Sequence, residues 1–136
     1  MTSLELGTPI PEYRVVVRAE AMKPMALLLR DPNPIHWDTA ALRALGLDER
    51  PINQGPLNVS YIWEAVTAWL GPQVSVRRVH VRFLSNALAG EHLVVGGEVI
   101  ELDPDDGTVT CFIRIDHDNG QHVLTGNITI GLEDRL

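Results

Sequence analysis

The chain changes its hydrophobic period once, at Gly71-Pro72, and that change restricts its fold more than any other feature. Before it, Leu57, Tyr61, Ile62, Ala65, Val66, Trp69 and Leu70 recur at helical spacing and mark one broad apolar face. Pro56 has no N–H to lose and suits the first helical position, while Gly71-Pro72 ends the helix. Beyond it, apolar and polar residues alternate, as in strands buried on one face. Val79, Val81 and Phe83 alternate with His80 and Arg82, and Val109, Cys111, Ile113 and Ile115 with Thr108, Thr110, Arg114 and Asp116. Leu124, Gly126, Ile128 and Ile130 form a further series. Asp105-Asp106-Gly107 and Asp118-Asn119-Gly120 read as hairpin turns between these runs. A long helix followed by an antiparallel meander of three or four strands is an α+β arrangement. Because the apolar face of the helix is broad, the economical packing is a single antiparallel sheet wrapped around one long central helix, though periodicity alone leaves other α+β packings open.

Upstream, a short strand is expected from Tyr13 to Arg18 and a helix from Ala21 to Leu29, with Pro24 in its first turn. That helix must stop near Arg30, because Asp31 and Asn33 each precede a proline and are pushed out of the α region. Asp38 can cap a short helix from Thr39 to Leu45, closed by Gly46. Residues 1–136 are expected to form a single domain, since 136 residues hold one core of ordinary size and 45% hydrophobic residues suffice to build it. No apolar run is long enough to cross a bilayer, and the start, MTSLELGTPIPEY, lacks the basic and apolar regions of a signal peptide. A cytoplasmic protein is expected, with no membrane partner. The net charge of −7 repels a phosphate backbone, so no nucleic-acid partner is expected, and Arg77, Arg78 and Arg82 read as solvated strand residues. Cys111 has no second cysteine to pair with and reads as inert packing in a reducing compartment.

The segment Asp31-Pro32-Asn33-Pro34-Ile35-His36 carries the chemistry. A carboxylate and an imidazole five residues apart on a proline-stiffened turn could reach one water and share the acid–base work on it. Asn33 adds an amide to orient a neighbour. On spacing alone, Asp31 could equally end a helix and His36 lie on the surface.

Asp31, Asn33-Pro34, Ile35 and His36, followed by Trp37-Asp38, resemble the signature of the MaoC-like, (R)-specific enoyl-thioester hydratase/dehydratase family, which has the hot-dog fold. The likeness extends over most of the chain, through the loop to Gly55, the central helix and Arg82-Phe83 after it. It implies that Asp31 and His36 activate a water that adds to the β-carbon of a trans-2-enoyl thioester, giving a (3R)-hydroxyacyl product. It also implies that the backbone N–H of Gly55 stabilises the thioester oxygen. A glycine at a helix start allows close approach to unpaired N–H groups, although alone it would read as a plain cap before Pro56. The implied substrate is an acyl-CoA or acyl-carrier thioester, with no cofactor beyond coenzyme A as part of that substrate. The implied assembly is a homodimer or a heteromer with another hot-dog subunit. Two positions depart from the family. Leu29-Arg30 stands where a Ser/Thr-Gly pair is common, and Gln54-Gly55-Pro56 where His-Gly-Met is common. Arg30 would either lower the pKa of the Asp31 carboxyl or point away, and Gln54 keeps a hydrogen-bonding side chain that cannot titrate. These departures point to a bulkier acyl group. They also support one alternative, a non-catalytic or acyl-binding subunit of a heteromeric hydratase; a further alternative, a hot-dog thioesterase, is implied by related hot-dog enzymes that hydrolyse thioesters.

Other candidates weigh little. His80, His92, His117 and His122 share no metal-ligand spacing, so no metal site is expected. Gly96-Gly97 reads as a bulge inside a strand. Trp37 is expected to wall the site, and Trp63 and Trp69 to belong to the core or an interface. Ser60 and Ser85 lack a nucleophile motif.

Overall fold

The computed structural model describes residues 3–132, so the two ends of the expected 1–136 domain lie outside the described residues. The elements run β1 (Pro9–Val16), α1 (Ala19–Leu29), a 3-10 turn (Pro34–His36), α2 (Thr39–Ala44), α3 (Gly55–Leu70), β2 (Ser75–Phe83), β3 (His92–Asp103), β4 (Thr108–His117) and β5 (His122–Gly131). The strands form one antiparallel sheet in the order β1-β3-β4-β5-β2, and α3 lies against its inner face. The α+β fold expected from the change of period, a sheet around one long helix, is the one observed.

The burial of each strand follows its alternation. On β4, Val109, Cys111, Ile113 and Ile115 are fully buried, and Leu124, Ile128 and Ile130 of β5 lie beside them in register on the same face of the sheet. From α3, Leu57, Tyr61, Ile62, Ala65, Val66 and Leu70 close that core, while Trp69 packs at its edge and Trp63 is exposed. Burial pushes the pKa of the Cys111 thiol up to about 12, so the packing role expected of it holds.

Strand order is where the sequence pattern misleads. The true meander is β3–β4–β5, and β2 does not open it but crosses to the far edge and pairs with β5. An edge strand has one neighbour, which is why Val79 and Val81 are only half-buried and Phe83 is 51% exposed.

Three local boundaries also shift. The first strand begins at Pro9 rather than Tyr13. Pro24 sits in the second turn of α1, five residues after Ala19, rather than the first. Helix α3 opens on Gly55, capped by Gln54, so that Pro56 is its second residue. Asp38 does cap α2, accepting from the N–H groups of Ala40 and Ala41.

The pair Gly96-Gly97 lies at a register slip, as expected: Ile10 of β1 pairs with Gly97 and Tyr13 with Val95, so the extra residue stands on β1 opposite Gly96. A second slip falls between Val99 and Glu101 of β3, and the two glycines also serve close approach to β4. A Cβ on Gly97 would lie 2.0 Å from the carbonyl oxygen of Phe112, and one on Gly96 would meet the guanidinium of Arg114 at 2.8 Å. Gly97→Ala is therefore expected to destabilise the fold by about 2–3 kcal/mol, read from urea denaturation. A change below half a kilocalorie would show that the strands separate freely there.

Helix α1 ends on Arg30, which has φ +52° and is the one non-glycine residue with positive φ among those described. Its N–H reaches the carbonyls of Ala26 and Leu27, and the next N–H, that of Asp31, bonds the Ala26 oxygen at 2.9 Å. These are the bonds of a helix end that ordinarily carries glycine, because a Cβ in the left-handed region is crowded. Arg30→Gly is expected to stabilise the chain by about 1 kcal/mol, and Arg30→Ala, which keeps the Cβ, to shift it by less than about half that. A loss of stability on Arg30→Gly would mean that the arginine side chain holds something in place.

Candidate active site

The turn from Asp31 to His36 is built by its own side chains. One Asp31 oxygen, Oδ1, accepts the N–H of Asn33 at 3.0 Å, and Asn33 Oδ1 accepts the N–H of Ile35 at 3.3 Å. These two bonds fold the segment between the prolines and start the 3-10 turn that carries His36 inward. His36 is buried at 9% exposure, which removes the reading in which it is a surface residue. Its Nε2 lies 3.4 Å from Asp31 Oδ2, so the sequence-expected pair is together in space, with Asp31 about one-third exposed beside it.

The other ring nitrogen is committed. His36 Nδ1 donates to the carbonyl oxygen of Ile52 at 2.6 Å, which leaves the Nε2 lone pair facing Asp31. Ile52 is itself locked on both sides. Its N–H donates to the Ile35 carbonyl, while its neighbours bond the segment opposite: Ala89 N–H to Pro51 O and Asn53 N–H to Ala87 O. Residues 51–53 thus run as one short extended strand between the histidine turn and residues 87–89, with an antiparallel bridge between Ile52 and Leu88.

Three residues further on, α3 begins. The Gly55 N–H has no hydrogen-bond partner among the described residues, and no side chain caps the helix. The ring of Phe83 stands over this glycine, and a Cβ on Gly55 would meet its Cζ at 3.0 Å. The helix start therefore offers a bare N–H, and the lack of a side chain on Gly55 lets the Phe83 ring pack against it. Beside the first two turns of α3 lies a groove of about 540 Å³, lined by Leu57, Ser60 and Tyr61 together with Tyr13, Val15 and Arg18.

The remaining expected residues fall as follows. The side-chain oxygen of Asn33 is used to close the turn, accepting the Ile35 N–H. Arg30 is exposed and forms no ion pair with Asp31, whose carboxylate lies beside His36 instead. Gln54 is buried and donates from Nε2 to the Met22 carbonyl at 2.7 Å, tying the start of α3 to α1. Trp37 directly follows the histidine and is 42% exposed.

Sequence reading missed the polar cluster under the helix start. Asn53 Nδ2 donates to Asn58 Oδ1 at 2.8 Å and to the Tyr61 hydroxyl at 3.2 Å, all three being buried. Burial raises the pKa of Tyr61, the Asn53 bond opposing it only in part, so the hydroxyl stays neutral. The available signal was Asn58, a polar residue in line with Leu57, Tyr61 and Ile62 on the apolar face, which must find a partner there. Also missed was the cluster of Ser85, Glu91 and His117 near residues 87–89. Among the described residues, no group of three or more His, Cys, Asp or Glu is placed to hold a metal ion. No described helix is long and apolar enough to cross a membrane.

Known proteins share this fold. The family model of the MaoC-like domain matches residues 4–118. Among solved structures, the (R)-hydratase from A. caviae involved in PHA biosynthesis superposes with a TM-score of 0.85 at 27% identity, over 97% of this chain and 99% of that one. The (R)-hydratase PhaJ1 from Pseudomonas aeruginosa gives 0.82 at 27% identity, over 95% and 82% of the two chains. The ChsH1-ChsH2 complex from Mycobacterium tuberculosis shares the fold, with a TM-score of 0.81 at 21% identity over 97% of this chain and 99% of that chain. No curated protein matches the sequence. With the family model spanning most of the chain and (R)-hydratases sharing its whole fold, this protein belongs to the MaoC-like hydratase/dehydratase family and has the hot-dog fold.

Proposed function

We propose that the chain catalyses the reversible addition of water to a trans-2-enoyl thioester, an enoyl-CoA, to give the (3R)-hydroxyacyl thioester. The observation that carries this reading is the pairing of His36 Nε2 with Asp31 Oδ2 at 3.4 Å while Nδ1 is tied to the Ile52 carbonyl. That tie makes Nε2 the basic nitrogen, and the carboxylate beside it supplies a second acceptor for the same water. Between them, Asp31 and His36 take one proton from the water as its oxygen bonds the β-carbon, and return one proton to the α-carbon. Negative charge collects meanwhile on the thioester oxygen. The uncapped N–H of Gly55 at the positive end of α3 is the group to receive it, and a donor of this kind contributes on the order of 3 kcal/mol to barrier lowering.

With the carbonyl at Gly55, the acyl chain runs along the groove beside Leu57, Ser60 and Tyr61, one turn further along the same helix. That groove has room for more than a short chain. The reaction asks for no cofactor, coenzyme A entering only as part of the substrate. The working unit in this reading is a homodimer or a heteromer with a second hot-dog subunit, as in the neighbouring complex of two named chains.

The test is hydration of crotonyl-CoA and of a bulkier enoyl-CoA by the purified protein, followed by loss of the conjugated absorbance. Asp31→Asn and His36→Ala are each expected to lower kcat by about a thousandfold or more while circular dichroism stays that of the wild type. Equal activity in the wild type and both variants would sink the assignment. Release of free thiol without hydration would mark a thioesterase.

A further inference from the structure

We infer that Glu91 and His117 are positioning residues for His36, acting through two short backbone segments; this rests on the hydratase reading for its effect on catalysis, but not for its effect on the histidine itself. His117 closes β4 and Glu91 immediately precedes β3. The His117 Nδ1 meets Glu91 Oε2 at 2.7 Å, and its Nε2 meets the Ser85 hydroxyl at 2.9 Å. Both side chains are largely buried, His117 at 11% and Glu91 at 21% exposure, so their bonds are little weakened by water. Ser85 in turn contacts the His122 carbonyl at 2.8 Å, and the N–H groups of Leu84 and Ser85 bond the Val123 carbonyl. The connection from β2 to β3 is thereby pinned to the start of β5 and the end of β4.

The second oxygen of Glu91 carries the constraint onward. Oε1 accepts the N–H of Leu88 at 2.8 Å. Leu88 is the residue bridged to Ile52, and its neighbours Ala87 and Ala89 make the two bonds that hold residues 51–53. Ile52 then presents its carbonyl to His36 Nδ1. One carboxylate therefore joins a histidine at the end of the sheet to the loop that orients the histidine of the site. Each link is a hydrogen bond of 2.6 to 2.9 Å between groups whose other bonds fix their direction. The Ser85 hydroxyl donates to the His122 carbonyl and also contacts His117 Nε2, so the cluster holds the loop in place rather than presenting a free nucleophile.

Losing Glu91 leaves the Leu88 N–H without its acceptor and His117 without its orienting partner. The strand at residues 87–89 loosens, and with it the aim of the Ile52 carbonyl. A displacement of this kind affects the reacting geometry more than substrate affinity. Glu91→Ala is expected to lower kcat by about tenfold with KM within about twofold of wild type. Glu91→Gln keeps an oxygen for the Leu88 N–H and is expected to recover most of that loss. In protein labelled with nitrogen-15 histidine, the Nδ1 proton of His36 should appear as a slowly exchanging resonance, and Glu91→Ala and His117→Gln should shift it and speed its exchange. That measurement needs no substrate, so it decides the coupling even if hydration itself is not observed. An unchanged His36 resonance in folded Glu91→Ala or His117→Gln protein would overturn the inference. So would a shifted resonance with wild-type kcat and KM in an active enzyme. Should Glu91→Ala fail to fold, the His117→Gln spectrum carries the same decision.

Discussion

The 2.6 Å hydrogen bond from His36 Nδ1 to the Ile52 carbonyl fixes which nitrogen of the imidazole is basic and where it points. Without it the ring has two tautomers and no preferred direction, and the nearby carboxylate of Asp31 would meet either nitrogen. The acceptor is a backbone group, so its aim depends on every bond that flanks Ile52. Those bonds come from both sides: Ile35 on the histidine turn, and Ala87 and Ala89 on the connection between β2 and β3. The sheet, the helix start and the proline turn converge on this one peptide because residues 51–53 lie between the turn and residues 87–89 and lead directly into α3. A site carried on loops is held in this way by backbone hydrogen bonds on both sides of residues 51–53.

What could be read from the chain was what is encoded locally. Helix α3 was legible because seven apolar residues repeat at helical spacing, and the Asp31–His36 pair because both residues sit within one proline-bounded turn. The hairpins β3–β4 and β4–β5 were legible from their turn residues. The place of β2 was not, since alternation shows which face of a strand is buried and not which strand lies beside it. Phe83 illustrates the gap: it follows the apolar alternation faithfully, yet it lies on an edge and rests its ring over Gly55. The Ile52 carbonyl was invisible for a different reason, because a backbone acceptor leaves no mark in residue identity. The link from Glu91 to Leu88 shares that invisibility at one end. Asn58 did leave a mark, as a polar residue on an apolar face, and its bond to Asn53 is the answer to it.

The two departures from the family pattern have physical consequences of opposite kind. At Arg30 the backbone still takes the left-handed turn that glycine would take freely, because the bond from Asp31 N–H to the Ala26 carbonyl needs that geometry to turn the chain toward the site. The strain is thus local and conformational, and the carboxylate is delivered to the same place. At Gln54 the change is in chemistry. The side chain is 2% exposed, and its one observed bond, to the Met22 carbonyl, joins α1 to the start of α3. An amide in that position carries no charge at any pH, so burying it incurs no cost of ionisation, whereas a titrating side chain there would place a variable charge beside the Gly55 N–H. Gln54 therefore adds no titrating charge at the helix start, where the peptide dipoles favour negative charge. In the proposed hydration that leaves Asp31 and His36 as the groups whose protonation would govern the reaction.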